Sequence, residues 1–237
     1  MEPSRSAEVV QQLSGWIESL FVTLQDIGTD FSTVLEDSLD STTPIVIDGV
    51  IRRRLHEVAA RYLTNVDYPD GTGFIFQREL VPENATALEW WAREDRQAVR
   101  KDFINDPSSP LFYNYEQLEW FRGGFGAQAR TIAGPYIDHF GVRDYITTWA
   151  IPLIVHERTV GVVAADLKLA TLEHILLPML LRAPNGRAAL VNQTGQVIIS
   201  TIAHVPSGTI VGSLTEGFDL LSLTVTNMNL SVLVQPQ

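Results

Sequence analysis

The residues most able to do chemistry in this sequence are carboxylates that stand close to aromatic side chains. Gly134 and Pro135 break regular structure just before Tyr136 and Asp138, so a loop would present that pair. Asp166 follows at the end of an otherwise apolar strand, where a carboxylate is costly to bury unless a cation or several donors satisfy it. Asp166 therefore either holds a cationic ligand, caps the next helix, or pairs with a basic side chain such as Lys168 or an arginine.

A cluster of aromatic residues precedes this region in a stretch without periodicity. Loop residues 105–110 lead into Phe112, Tyr113 and Tyr115, close to Trp120. Such residues form either a hydrophobic plug that seals a sheet or, with their polar ends turned inward, the wall of a ligand cavity. The sequence leaves both interpretations open for Tyr113, Tyr115 and Trp120, and it favours the core for Phe112.

Strands must position these groups. Tyr145 to Val155 and Thr159 to Leu167 are rich in β-branched and aromatic residues and are separated by a short polar turn, which predicts an antiparallel hairpin. A first strand is expected at 74–76, another hairpin around 193–195, and one or two strands within 220–234. The strands after residue 186 either complete the same sheet or form a small second module.

Helices are expected before and between the strands. A first helix carries apolar residues at alternating steps of four and three, at Leu13, Ile17, Leu20, Leu24, Ile27, Phe31 and Val34. This stripe either packs on the protein's own sheet or next helix, or forms the seam of a homodimer. A second helix is predicted to start near Ser41–Thr43 and Pro44 and to end near Asn65. A third is expected to hold Trp90 and Trp91, followed by charges on a solvated helix face.

Composition excludes several classes of function. With 17 basic against 28 acidic residues and a formal net charge of -11, the chain is a poor candidate for binding nucleic acid. Cysteine is absent and the five histidines are dispersed, so no metal site or cofactor is predicted. No hydrophobic segment is long enough for a membrane span and the polar amino end does not support a signal peptide, so we expect a soluble, cytoplasmic protein.

Enzyme motifs are largely missing. The glycines of GGFG at 123–126 lack the Lys and Ser/Thr of a phosphate-binding loop, and we expect them to form a mobile flap or turn. The remaining enzymatic possibility is acid–base chemistry by Asp138, His139 and Asp166 in one cavity.

Several ordered motifs resemble those of Cache domains, the PAS-like sensor fold of bacterial receptors. These are GPYID, the proline-containing strand AIPLIV, and VGVVAADL followed by a helix, together with LEWW, FYNY and EWF upstream. The resemblance extends over about residues 71–234. It implies an antiparallel sheet with a ligand cavity and a role in signalling.

The resemblance also bears on the ligand. In amino-acid-binding Cache domains, an Asp at the position of Asp166 holds the ligand ammonium and a Tyr matching Tyr136 lies beside it. Those domains also carry an Arg two residues before an aromatic pair, where this chain has Leu118 before Trp120. Arg122 or Arg130 could supply the guanidinium instead. The predicted ligand is therefore an amino acid, an amine or a small organic acid.

These observations together predict an α+β protein with a PAS-like antiparallel sheet of five to seven strands and long N-terminal helices packed on one face. The expected organisation is N-terminal helices at 1–65, a ligand-binding core at 66–185 and C-terminal strands at 186–237. We expect a small-molecule sensor without catalytic residues, with an enzyme or a dimeric scaffold protein as alternatives. The predicted ligand-binding residues are Trp91, Tyr113, Tyr115, Trp120, Phe121, Arg130, Tyr136, Asp138 and Asp166.

Overall fold

The computed structural model describes residues 4–39, 44–83, 85–104, 106, 108–110, 112–139, 142–212 and 216–236. Its helices are α1 (Arg5–Ser38), α2 (Gly49–Asn65), α3 (Glu119–Phe121) and α4 (Leu169–Leu180). Its strands are β1 (Gly71–Phe76), β2 (Leu88–Glu94), β3 (Gln97–Lys101), β4 (Thr131–Ile137), β5 (Tyr145–Val155), β6 (Arg158–Lys168), β7 (Ala188–Val191), β8 (Val197–Ser200), β9 (Asp219–Ser222) and β10 (Ser231–Val234). The predicted α+β class is confirmed.

Six strands form one antiparallel sheet in the order β3-β2-β1-β6-β5-β4. The predicted hairpin is its centre: β5 and β6 are 11 residues long each and pair along nearly their whole length. In this register Thr148 lies opposite Asp166, and Asp166 in turn lies opposite Gly71 of β1. Because side chains alternate between the faces of a strand, residues 162, 164 and 166 share one face of the sheet.

Helix α1 covers the other face. Every apolar residue of the predicted stripe is at most 8% exposed, and Phe21 and Phe31 pack on Trp149 and Phe74 of the sheet. The helix continues without interruption through Gly28, whose missing side chain lets the helix approach Ile151 and Val163. Since the stripe is used by the protein's own core, a homodimer through α1, which stays a prediction, needs a different face of the helix.

The start of α2 differs from the prediction. The helix begins at Gly49, and the side chain of Asp48 caps it by accepting hydrogen bonds from the backbone N–H groups of Val50 and Ile51. The predicted cap region Ser41–Thr43 lies outside the described residues. An acidic cap is favourable at a helix N-terminus, where several N–H groups lack partners within the helix.

The predicted helix at Trp90 and Trp91 was wrong. These residues lie in β2, which turns at Asp95 and Arg96 into β3; both turn residues have positive φ, as a two-residue hairpin turn requires. The charged run therefore marks the end of a hairpin and not a solvated helix face. Two adjacent tryptophans fit neither the helical period nor the strand alternation clearly. Pairing with β1 therefore decides that this segment is a strand.

Glu89 links this hairpin to α2. Its carboxylate is fully buried and accepts hydrogen bonds from Arg52 Nε and Arg100 Nε, both at 2.9 Å. We expect Glu89→Ala to lower the free energy of unfolding by about 2 kcal/mol, because two charge-assisted bonds are lost and two guanidinium groups lose their partner. Urea unfolding measures this. Glu94→Ala on the same hairpin is the control, since Glu94 is exposed and its pair with half-buried Lys101 is worth less than about 1 kcal/mol; equal losses would contradict the prediction.

The C-terminal strands form a sheet of their own, in the order β8-β7-β10-β9. They therefore do not complete the first sheet, which was one of the two alternatives, while the proposed domain boundaries stay a prediction. Helix α1 also contacts the segment between β9 and β10, because Ser14 Oγ and Glu18 Oε2 accept hydrogen bonds from the backbone N–H groups of Thr224 and Thr226. Among the residues that the structure describes, no helix is both long and apolar enough to cross a bilayer.

Candidate ligand-binding site

A cavity lies on the face of the first sheet that α1 leaves free. Including its open mouth it measures about 310 Å³. Its floor comes from β1, β2, β5 and β6, and its walls come from the irregular segment before β4 and the loop after it. The described lining residues are Ile75, Leu88, Trp90, Phe103, Tyr113, Trp120, Tyr136, Asp138, Thr148, Ala164 and Asp166.

Asp166 is the central polar group of the cavity. It is 5% exposed, and its Oδ1 accepts a hydrogen bond of 2.6 Å from the Thr148 hydroxyl. Burial raises the pKa of this carboxyl well above its ordinary value, and the nearby charges of Asp138 and Asp70 raise it further, while the Thr148 bond lowers it. Within the described residues, no Lys or Arg forms an ion pair with it.

The other two roles considered for Asp166 are filled by other residues. Asp70 accepts hydrogen bonds from the backbone N–H of Lys168 and from the Thr171 hydroxyl, so Asp70 caps the start of α4. The Lys168 ammonium lies 3.4 Å from Asp144. The buried carboxylate of Asp166 is thus left facing the cavity with a single hydroxyl donor.

Tyr136 extends this polar chain. Its hydroxyl is hydrogen-bonded to the Thr148 hydroxyl, which in turn donates to Asp166. Burial raises the pKa of Tyr136 well above its ordinary value, with a contribution from the charge of Asp166. Burial likewise raises the pKa of Tyr113, and Asp166 and Asp138 add to the effect. Both phenols are therefore neutral at physiological pH and offer hydroxyl oxygens to a ligand.

Asp138 closes the cavity from the loop after β4. One of its oxygens, Oδ2, accepts hydrogen bonds from the backbone N–H of Val142 at 2.6 Å and of Arg143 at 3.0 Å. These bonds fix the loop and hold the carboxylate at the cavity, where it is 7% exposed. Two carboxylates, two tyrosines and a threonine thus give the cavity a strongly acceptor-rich lining.

Two tryptophans contribute indole N–H groups. Among the described residues, Nε1 of Trp90 and Nε1 of Trp120 are buried without a well-formed hydrogen bond, although Trp120 is close to the Tyr113 hydroxyl. A buried donor without a partner is costly, so each indole favours a ligand or a water that brings an acceptor.

Glycine fixes the position of Trp90. Gly73 of β1 lies opposite Trp90, and a Cβ at this position would be 2.1 Å from the carbonyl oxygen of Glu89 and 2.9 Å from the Trp90 ring. The indole therefore packs on a bare stretch of backbone.

The GGFG segment forms a turn, one of the two alternatives that the sequence left open. Residues Arg122–Gly126 form a single π-helical turn that continues α3 and packs on the sheet beside the cavity. A Cβ at Gly123 would lie 2.1 Å from the Thr131 hydroxyl, and one at Gly124 would lie 2.6 Å from Val162. These glycines permit close packing of the turn and hold Trp120 over the cavity.

The structure brings five of the nine predicted site residues to the cavity: Tyr113, Trp120, Tyr136, Asp138 and Asp166. Two more are placed in the core, away from the lining. Trp91 is on the opposite face of β2, fully buried and stacked on Phe31 of α1. Tyr115 is also fully buried and donates its hydroxyl to the backbone oxygen of Phe76 at 3.0 Å.

Phe121 and Arg130 are likewise outside the lining. Phe121 is 3% exposed and packs between the rings of Tyr115 and Phe125. Arg130 pairs with Glu18 of α1 at 2.7 Å, so its guanidinium serves the other side of the sheet. Arg122 bonds to Gln117 on the surface. Neither arginine supplies a carboxylate-binding group to the cavity.

Sequence reasoning missed several lining residues, of which Thr148 and Trp90 are the most informative. Thr148 could have been found from the predicted hairpin, since a register for β5 and β6 would place it opposite Asp166. Trp90 could have been predicted only if its segment had been recognised as a strand, because successive side chains of a strand point to opposite faces and Trp90 and Trp91 are then separated. Ile75, Leu88, Phe103 and Ala164 carry no signal that distinguishes them from core residues.

The adjacent tryptophans offer a test with a built-in control. We expect Trp90→Phe to weaken binding of a small amine about fivefold, or about 1 kcal/mol, because Phe keeps an aromatic ring but lacks the indole N–H and offers a weaker face for a cation. Trp91→Phe should lower the melting temperature but leave the affinity unchanged. Isothermal titration and thermal unfolding of both variants measure this. Equal effects on affinity would mean that the ligand binds outside this cavity.

Comparison with known proteins identifies the fold. No protein-family model matches the chain and no curated protein matches it. Solved structures do, and one is the extracellular domain of soHK1S-Z6, with a TM-score of 0.64 and 15% identity over 97% of this chain and 90% of that one. A second is the ligand-binding domain of the Pseudomonas fluorescens chemoreceptor CtaA with L-valine, with a TM-score of 0.62 and 12% identity over 97% and 93%. A third is the ligand-binding domain of the Pseudomonas aeruginosa amino acid chemoreceptor PctC with GABA. Its TM-score is 0.58, with 13% identity over 97% of this chain and 95% of that one.

The chain thus has the fold of receptor ligand-binding domains. At identities this low the likeness concerns the fold alone. It is the Cache fold that the sequence motifs indicated, and it extends over nearly the full length of this chain and of the matching domains.

Proposed function

We propose that this chain is a sensor domain that binds a small molecule carrying an ammonium group in the cavity around Asp166. One observation carries the proposal: a buried carboxylate faces the cavity with one hydroxyl donor, and none of the described lining residues is a lysine, an arginine or a histidine. A cationic ligand would supply the missing counter-charge. The tyrosine oxygens and aromatic faces around it suit an ammonium as well.

This lining favours an amine among the three predicted ligand classes. A small organic acid would bring a third negative charge next to Asp138 and Asp166 without a basic partner, which is unfavourable in a buried site. An amino acid would gain the ammonium contact, but its carboxylate would find only neutral donors such as the Trp90 and Trp120 indoles. The PctC and CtaA domains are in complex with GABA and with L-valine, and their likeness in fold supports a sensor role for this chain.

Matched sets of probes test the ligand class. Isobutylamine, L-valine and isovalerate share one branched carbon chain and differ only in which charged groups they carry; propylamine, GABA and butyrate form a linear set. We expect thermal shifts in the order amine, then amino acid, then acid, because only binding to the folded state raises the melting temperature. A shift by the acids alone, or by none of the six compounds, would overturn the proposal.

No observation favours the enzymatic alternative. The cavity contains Asp138 and Asp166, but His139 is exposed and is not among the lining residues. The similar structures reported above are ligand-binding or extracellular domains. A cytoplasmic location, a bacterial source and dimer formation stay predictions from the sequence.

A further inference from the structure

The turn between β7 and β8 connects the second sheet to the edge of the first. Strand β4 is an edge strand, so its outward backbone carbonyls have no strand partner. Gln193 Nε2 donates to the carbonyl oxygen of Ile132 at 2.8 Å, and Asn192 Nδ2 donates to that of Gly134 at 3.2 Å. These bonds hold the part of β4 that immediately precedes Tyr136 in the cavity.

The same turn also holds the segment that carries Trp120. Gln193 Nε2 donates to Glu119 Oε1 at 3.1 Å. Glu119 is the residue next to Trp120. One amide group of Gln193 is therefore shared between the two chain segments that supply Tyr136 and Trp120.

The turn itself is well braced. Asn192 is 3% exposed, and its Oδ1 accepts hydrogen bonds from the backbone N–H of Thr194 at 3.0 Å and of Gln196 at 2.9 Å. An Asx turn of this kind leaves little freedom to the backbone. A displacement of β4 or of α3 is therefore transmitted to the second sheet more readily than it is absorbed by the turn.

We infer that Gln193 is a positioning residue for the cavity: it fixes Tyr136 relative to Trp120 and couples the cavity to the second sheet. The binding part of this inference rests on the proposed function. A ligand that contacts both Tyr136 and Trp120 changes the distance between their segments, and Gln193 then has to shift or lose one of its two acceptors. Coupling between two sites is reciprocal, so a change in the turn should in return alter the affinity of the cavity.

Hydrogen exchange and isothermal titration with isobutylamine test the inference in three proteins. In Gln193→Ala, we expect faster amide exchange over residues 131–137 and about tenfold weaker binding of isobutylamine, since the bonds to a carbonyl and to a carboxylate are both lost. Gln235→Ala is the matched control, because Gln235 also belongs to the second sheet region but its amide oxygen accepts only from Arg187. It should change neither quantity.

A charge swap separates positioning from general stability. Gln193→Glu sets a second carboxylate against Glu119 and should weaken isobutylamine binding more than Gln193→Ala. Adding Glu119→Gln removes this repulsion and restores a donor–acceptor pair with residue 193 in the reverse direction, but a carboxylate at 193 still cannot donate to the Ile132 carbonyl. The double variant should therefore recover affinity only to about the level of Gln193→Ala, and full recovery to the wild-type affinity would overturn the inference.

The two proposals fail in different ways. If the wild type does not bind isobutylamine, the proposed function loses its support, while exchange over residues 131–137 still decides whether Gln193 positions β4. If isobutylamine binds but slows exchange of the β7 and β8 amides equally in the wild type and in Gln193→Ala, the coupling is overturned. If the amides of residues 131–137 exchange at the same rate in Gln193→Ala and in Gln235→Ala, Gln193 does not position β4 and the inference is overturned.

Discussion

Replacing Asp166 by Asn should abolish amine binding and at the same time make the unliganded protein more stable. Asn keeps the shape of the side chain and can accept the Thr148 hydrogen bond, but it carries no charge to pair with an ammonium. We expect an affinity loss of at least about a hundredfold, because a buried charge pair loses one partner. Isothermal titration with isobutylamine measures this.

The gain in stability follows from the sign of the pKa shift. The folded-state pKa of Asp166 is raised, so ionisation of this carboxyl favours the unfolded chain. Wild-type stability should fall as pH rises from the ordinary carboxyl range through the raised folded-state pKa. Asp166→Asn lacks this loss and should melt at a higher temperature at neutral pH, with the difference shrinking toward about pH 4. A lower melting temperature at neutral pH would show that the ionised carboxylate is stabilised by contacts within the protein. Asp144→Asn, at an exposed ion pair, is the control.

Amine affinity should also depend strongly on pH. An aliphatic amine stays protonated up to about pH 10, so the titrating group in the acid and neutral range is the carboxyl that receives it. The ammonium stabilises ionised Asp166 and lowers its pKa in the complex relative to the raised value in the empty cavity. Between these two values binding releases a proton, and affinity should rise about tenfold per pH unit.

Titration in two buffers with different heats of ionisation measures the released proton directly. We expect close to one proton per bound isobutylamine at the pH where the affinity is steepest, and a pH-independent, much weaker affinity for Asp166→Asn. An affinity that is constant between pH 5 and pH 8, with no proton released, would mean that Asp166 is already ionised in the empty cavity.

The sequence predicts the central part of this site because residue type alone carries the signal there. A carboxylate at the end of a β-branched strand needs a partner wherever it occurs, so Asp166 could be selected without a structure. The β5–β6 hairpin was predicted for the same reason, since its composition leaves little choice of secondary structure. The Gly134-Pro135 pair was predicted to break regular structure before Tyr136 and Asp138, and this was wrong for Tyr136. The pair lies inside β4, at a register shift between Ala133 and Tyr136, so Tyr136 belongs to the strand and Asp138 to the loop after it.

Local sequence could not predict which aromatic side chains face the cavity and which face the core. Tyr113 and Tyr115 lie in an irregular segment, where no period indicates which ring reaches the cavity and which enters the core. Trp90 and Trp91 exchange roles if the strand shifts by one residue, and only pairing with β1 fixes them. Arg130 is removed from the site by Glu18, a partner 112 residues away in the chain.

The bare backbone under Trp90 has a consequence for which molecules the cavity can admit. Many pockets are sized by side chains that change rotamer, so their volume adapts to the guest. Here one wall rests on Gly73, whose neighbouring atoms leave no space for a methyl group, and the indole cannot retreat through a strand. On this side of the cavity, the main chain therefore limits the space for a ligand. Selection among homologous amines by length should consequently be sharp at this wall and more permissive toward the mouth.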